Sequence, residues 1–459
     1  MEPRYTAKPK NTGKAHRRRW RTGRARHLWI VGLLLAAASP AAAEEITLVA
    51  AVEEALASNS RLQAAGAQVQ RAEADVDQAR SAVLPDLVAK GDYTRSEEPN
   101  LVTPMREFPN PQDPNADPLD LDDQIYSAAL RLDVPILNLS TLSGIRASHH
   151  GVDAERARRV EAEQRIIAGV TEIFIRNGQL TDNLALMDGH VRALERRLSE
   201  LRTLTEEGRV PPTAVAEVQA TLQTVLSDRL ELRYRREELS YRLATLLGRD
   251  QPVSPLVPQF SDPPRIATSA EQLGGPAAQV AEAQYLAAQA ARDGARTSFA
   301  PRIDGFATQS FRSGSDLDFN AEWSLGLAVT VPILTGGERR ARLTAAEANL
   351  LSAGHNRTAV NTETLTDARI LERRWHNAAE RGELLQSAVE NQERSVQAVE
   401  DRFQEGRGSL SDLLIAETTL LELRMHQQRT GYDQLLAYLA HAEIVGELSA
   451  SYIQSLVQE

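Results

Sequence analysis

The sequence predicts a mainly α-helical, internally duplicated chain with a small β part: two long helical hairpins, each carrying a pair of strands. Three observations carry this prediction. Of 21 prolines in 459 residues, none falls between Pro135 and Pro211 and none after Pro332, gaps far longer than an ordinary globular helix. Two segments, Tyr126 to Leu137 and Trp323 to Leu334, alternate apolar with small or polar residues at the period of two that a strand imposes, and both end in Val-Pro-Ile-Leu. Both belong to a tandem repeat, because Gly208 and Gly406 stand 198 residues apart, as do Gly248 and Gly446.

Residues 1–43 precede the repeat and read as a secretory signal peptide. Ten Lys or Arg and one Glu come before an apolar run, Leu28 to Ala38, and Ala41-Ala42-Ala43 follows it as a cleavage site. The run is too short for a membrane anchor. Cleavage near Glu44 takes Lys plus Arg from 52 to 42 and Asp plus Glu from 63 to 62, and so strongly acidic a chain is a poor partner for nucleic acid. With no cysteine, disulfides, thiol catalysis, Cys-ligated metals and lipidation of an N-terminal cysteine are excluded. No later stretch holds about twenty consecutive apolar residues, so no transmembrane helix is expected.

The first copy spans 44–250. Helical spacing of apolar residues runs from Ile46 to Val83 and stops at Leu84-Pro85, because the residue before proline is pushed out of the α region. A strand over 86–95 follows, with Leu87, Ala89, Gly91 and Tyr93 on one face. Ser96 to Gln124, with six prolines and many acids, is expected to be a loop and neither strand nor helix. The returning strand, 125–134, turns Tyr126, Ala128, Leu130, Leu132 and Val134 to one side and is closed by Pro135. A helix then runs to Glu207, roughly 100 Å at about 1.5 Å per residue. Gly208-Arg209-Val210-Pro211-Pro212 turns the chain, and a return helix, Thr213 to Leu247, stops at Gly248.

Residues 251–270, with five prolines, form a connector. The second copy, 271–448, repeats the plan: a helix from Pro276 ended by Ala300-Pro301, a strand over 302–312, and a strand over 322–331 closed by Pro332. A long helix from Gly336-Gly337 to Gln404 follows, then the turn Glu405-Gly406-Arg407 and a return helix ending near Gly446. Residues 449–459 are a C-terminal tail.

Strands of nine or ten residues suffice to cross a bilayer when tilted, but four cannot close a membrane barrel, which takes about eight. Open edges in lipid leave unpaired backbone groups, so other chains must complete the sheet. Tyr93, Tyr126, Phe311, Phe319 and Trp323 lie near the outer ends of the strands, where an interfacial aromatic girdle belongs.

The run Glu405-Gly-Arg-Gly-Ser-Leu-Ser-Asp-Leu-Leu-Ile-Ala-Glu-Thr-Thr-Leu420 closely resembles the turn-and-helix signature of the TolC-like outer-membrane factors, and the duplicated helix-strand-strand-helix plan resembles that family from Ile46 to Leu448. The resemblance implies a homotrimer in the outer membrane of a Gram-negative bacterium. Each protomer would give four strands to one lipid-embedded β-barrel and its long helices to an α-helical barrel through the periplasm. It also implies that the turns at Gly208-Arg209 and Gly406-Arg407 form the periplasmic mouth, docking on an adaptor protein coupled to an inner-membrane pump. Family members carry two aspartates past the second turn; Asp412 matches the first, while Ile415 stands at the second, so a mouth of reduced charge is expected, with Glu217 of the first copy as a substitute.

The expected function is therefore a passive exit duct of a tripartite efflux or type I secretion system. A soluble periplasmic coiled-coil adaptor or scaffold is the rival reading, which leaves the two alternating hairpins unexplained. No cofactor is expected. No catalytic triad, paired-acid site or phosphate loop stands out, and His149-His150 lacks partners at metal-ligand spacing. Asn138 and Asn356 match the glycosylation pattern but fall in expected helices.

Overall fold

A computed structural model describes residues 44–102, 108, 112, 121–260, 266 and 274–458. The expected signal peptide and most of the first interstrand loop lie outside the described residues.

The chain enters on β1 (Glu44–Ile46), followed by α1 (Leu48–Ser58) and α2 (Ser60–Ser81). The single helix expected from Ile46 is thus broken, and Asn59 breaks it. Its backbone is extended at φ −66°, ψ 118°; its side-chain oxygen accepts from the Arg61 N–H at 2.9 Å and its Nδ2 donates to the Leu246 carbonyl at 2.9 Å. Asparagine favours such a cap because its short amide competes with the helix for backbone groups.

After Pro85 come β2 (Asp86–Leu101) and β3 (Leu121–Leu137), both longer than expected. Pairing continues past Arg95↔Gln124 to Asn100↔Asp122 and Leu101↔Leu121, so the expected loop is partly strand. Pro99 is accommodated because it falls inside the register shift between Arg95 and Asn100, where no ladder donor is needed. Pro135 does not close β3 either: it pairs with Asp304, and the ladder shifts only after it.

The first long hairpin is α3 (Leu139–Glu206) and α4 (Pro212–Leu247), with 68 and 36 residues. Asn138 is the N-cap of α3, outside the helix proper, and accepts from the Thr141 N–H at 3.3 Å. Two short strands, β4 (Val253–Pro255) and β5 (Gln259–Phe260), occupy the connector. The second copy then gives α5 (Pro276–Thr297), β6 (Arg302–Ser313), β7 (Asn320–Thr330), α6 (Glu338–Gln404) and α7 (Leu410–Val445). The tail folds as α8 (Ala450–Leu456) and β8 (Val457–Gln458). Pro85 and Pro301 stand immediately before β2 and β6, and Pro332 lies just past the end of β7.

Four helices end alike. At Gly208, Gly248, Gly406 and Gly446 the backbone turns left-handed, with φ of 72°, 70°, 71° and 85°. At each, the glycine N–H bonds three residues back and the next N–H bonds five back, as in Arg209 to Leu204 at 2.8 Å and Arg407 to Arg402 at 2.8 Å. This closes the orphaned carbonyls of the last turn, and glycine reaches the required φ without a Cβ clash.

The main sheet is antiparallel in the order β2-β3-β6-β7, leaving β2 and β7 as edges. On the strand side of the helical layer the neighbours run α2-α3-α5-α6, and on the hairpin-tip side α4-α3-α7-α6. A waist joins the two halves: β1 pairs in parallel with β4 and β5 pairs antiparallel with β8. Its core buries Val52, Ile167, Val170, Phe174, Leu243, Tyr438 and Ile453, drawn from α1, α3, α4, α7 and α8. A second cluster packs Leu194, Leu198, Leu201, Val218 and Leu222 of the first hairpin against Leu410 and Leu414 of the second, bringing both tips to one end.

Candidate functional site

Register sorts the sheet into two chemically distinct faces. Leu87, Ala89, Gly91 and Tyr93 of β2 pair with Leu132, Leu130, Ala128 and Tyr126 of β3; the same face continues through Ala307 and Gly305 of β6 to Leu325 and Leu327 of β7. Directly paired residues share a face, so this side is almost wholly apolar. It is also uncovered: Trp323, Leu325 and Leu327 are 78%, 75% and 71% exposed. Tyr93, Tyr126, Phe311 and Trp323 all lie on it within a few rungs, with the Tyr93 and Tyr126 rings 4.9 Å apart. Phe319 precedes β7 and is exposed.

The opposite face is polar. Lys90 and Asp92, Arg131 and Asp133, and Arg302 and Asp304 form ion pairs at 3.4, 2.8 and 2.7 Å, each between residues two apart on one strand. Phe306 lies across from Gly326, where an added Cβ would sit 2.6 Å from its ring, and the Arg131 guanidinium stands 5.7 Å from that ring. A side chain at 326 would force the Phe306 ring to shift, so glycine suits this close approach.

At the hairpin tips, Gly208 and Gly406 occupy the left-handed turn positions expected of them. Arg209 pairs with Glu207 at 3.4 Å, and Arg407 pairs with Glu405; both guanidinium groups are well exposed. Ser409 caps α7 by accepting from the Asp412 N–H at 3.3 Å, which fixes Asp412 one turn into the helix. Asp412 and Ile415, one helical turn apart, are exposed, while Leu410, Leu413 and Leu414 on the other side are buried. Glu217 is exposed on α4 next to buried Val218, which the shared tip cluster contains.

Sequence reasoning missed the polar joint behind these tips. Arg197 of α3 donates to Glu400 of α6 at 3.0 Å and to Glu417 of α7 at 2.9 Å, and its guanidinium stands 6.0 Å from the Phe403 ring. Burial pushes the Glu417 carboxyl above its usual range and the Glu400 charge adds to this, against the pull of Arg197. Arg197 Nε and Glu417 Oε2 are buried without a hydrogen-bond partner among the described residues. The available signal was Glu417 at a core position of the stripe Leu410, Leu414, Leu421. Higher up, the Tyr432 hydroxyl donates to Asp182 at 2.7 Å and lies 3.2 Å from where a Cβ on Gly178 would sit, a second link between α7 and α3.

His149 contacts Arg80 at 3.2 Å and His150 lies 3.6 Å from Asp153, so both have partners the sequence reading did not assign. Among the described residues no group of three or more His, Asp or Glu is arranged to hold a metal ion, and no helix is long and apolar enough to cross a membrane.

The family described as outer membrane efflux protein matches residues 51–249 and again 271–447. The outer membrane protein TolC of Escherichia coli (strain K12) is 21% identical over 448 residues, covering 93% of this chain and 87% of that protein. Among solved structures, the outer membrane protein VceC of Vibrio cholerae superimposes with a TM-score of 0.76 at 19% identity, covering 87% of this chain and 96% of that one. The transmembrane channel protein CusC gives a TM-score of 0.76 at 17% identity, with coverage of 87% and 91%.

Proposed function

The chain belongs to the outer membrane efflux protein family, and we propose that three copies assemble into one duct that takes cargo from an inner-membrane pump through a periplasmic adaptor. The protein is an outer-membrane channel: its sheet lies in the membrane and its helices stand in the periplasm. Transport through such a channel is passive.

The observation that carries the assembly is the sheet itself. An exposed apolar face belongs in lipid, and edges β2 and β7 would strand unpaired backbone groups there. Joining β7 of one copy to β2 of the next relieves both edges, and three copies close a twelve-strand barrel. The helical layer has matching free margins, α6 on one side with α2 and α4 on the other. A soluble scaffold would leave the Trp323, Leu325 and Leu327 face in water without purpose.

At the other end, the Gly208 and Gly406 turns, with Arg209 and Arg407, dock the adaptor in this reading, and Asp412, Ile415 and Glu217 line the wall of the mouth. The aromatic residues Tyr93, Tyr126, Phe311, Phe319 and Trp323 form the interfacial girdle. Mass measurement in detergent tests the assembly and cross-linking from positions 209 and 407 tests the docking. Three chains per particle and adaptor adducts are expected; a monomer soluble without detergent would overturn the reading.

A further inference from the structure

Inside one chain the two hairpins meet along α3 and α7, which run antiparallel, and two polar contacts fix their register: Arg197 to Glu417 at 2.9 Å and Tyr432 to Asp182 at 2.7 Å. From Asp182 to Arg197 and from Glu417 to Tyr432 the interval is fifteen residues on each helix, so one register holds over that length. The duplication repeats α3 as α6 and α4 as α7 at an offset of 198 residues, and α4 and α7 are both 36 residues long. Carried over by that offset, Tyr432 falls on Tyr234 of α4 and Asp182 falls on Glu380 of α6. A hydroxyl and a carboxylate thus recur at matching positions, on two helices that α3 and α7 hold apart within the chain. Among the described residues neither Tyr234 nor Glu380 makes a hydrogen bond or ion pair, and Tyr234 is 67% exposed.

The surroundings of the two residues agree. On α4, Leu226, Leu230, Tyr234 and Tyr241 recur at i, i+4, i+8 and i+15, an exposed apolar stripe that α3 does not cover. One turn nearer the tip than Glu380, α6 presents Leu384, 72% exposed, at the position that the same register sets opposite Leu230. One difference is compensated. Tyr432 lies against Gly178, whereas the corresponding residue of α6 is His376, whose ring thickens the contact. Glu380 is one methylene longer than Asp182 and spans the added distance. We propose that α4 of one copy lies along α6 of the next in the register that α7 adopts along α3. The Tyr234 hydroxyl then donates to Glu380 of the partner subunit, and Leu230 packs on Leu384 of the partner subunit. The occupant is a second copy because the stripe holds, at the same offset, the face that Tyr432 marks on α7 as turned to α3. This inference rests on the exit-duct reading and gives its helical seam a register.

The chain has no cysteine, so an introduced pair reports the seam without background. L230C/L384C in the full chain, oxidised with copper phenanthroline in detergent, is expected to convert the single-chain band into two-chain and three-chain bands. L230C/N391C, two turns out of register on the same face of α6, is expected to stay single-chain. Within one copy α3 and α7 separate α4 from α6, so neither pair can close inside a chain. Three-chain particles that do not cross-link through 230 and 384, or that cross-link better through 391, would overturn the register and leave the duct intact. The hydrogen bond is read from the rate at which particles dissociate. Y234F and E380A should each dissociate about tenfold faster than wild type, and Y234F/E380A no faster than the single variants. Additive losses would overturn the bond between Tyr234 and Glu380. A wild-type chain that is monomeric in detergent would overturn the duct reading, and the seam with it.

Discussion

The guanidinium of Arg197 in α3 reaches the Glu417 carboxylate of α7 at 2.9 Å, tying the first helical hairpin to the second just behind their tips. Glu400 of α6 shares the same guanidinium at 3.0 Å, so one cation holds two carboxylates from both arms of the second hairpin. Replacing Arg197 with Ala leaves two mostly buried acids facing each other without a counter-charge. A loss of about 3 kcal/mol is expected, since removing one partner of a buried pair strands the other. Thermal unfolding in detergent and protease sensitivity of the tips measure it; an unchanged melting curve would exclude a structural role for the joint.

Glu417 makes the same joint sensitive to pH. Burial, helped by Glu400, raises its carboxyl pKa in the folded chain against the opposing effect of Arg197. A raised folded value means the folded state binds the proton more tightly than the unfolded state. The stabilisation from that proton is full below the ordinary glutamate value and is lost as pH rises through the elevated one. Glu417→Gln keeps the shape without the charge, so its stability relative to wild type should rise as pH passes from about 4 to about 8. Paired melts across that range decide it, and a pH-independent difference would count against the assignment.

The two faces of the sheet should respond oppositely to charge. Leu327→Arg places a cation on the apolar side at an expected cost of about 2–4 kcal/mol near the bilayer midplane. Ser324→Arg, on the polar side, should be tolerated. Recovery of assembled protein from outer membranes is expected to fall for the first and hold for the second; equal recovery would show that the apolar face does not meet lipid.

At the mouth, Asp412→Ala should raise conductance and weaken block by divalent cations in single-channel recordings. The side chain is exposed and its helix position is set by the Ser409 cap, so the fold should survive the change. Unaltered block would make Asp412 an ordinary acid near a helix start, favoured there by the helix dipole.

Periodicity and punctuation made most of the architecture legible. Proline-free stretches predicted α3 and α6 because a long helix tolerates no interior proline, and glycine turns marked all four helix ends because each needs a positive φ. Each miss has a specific cause. Asn59 splits the first helix through a bond to Leu246, a residue far away in sequence. Pro99 and Pro135 were read as strand breakers, yet Pro99 falls inside a register shift and Pro135 is the last paired residue before one. The tip glycines were legible because their reason is local. The Arg197 joint was not, because its three charges come from three helices and meet only after packing.

The charge pattern on the polar side of the sheet bears on what passes through it. Lys90 with Asp92, Arg131 with Asp133 and Arg302 with Asp304 each neutralise one another within a single strand, before any neighbour arrives. A bore walled by such self-cancelling couples projects little net field into its water beyond a few ångströms. Charge cancelled inside each strand leaves this face hydrated while favouring neither sign of solute at these three couples.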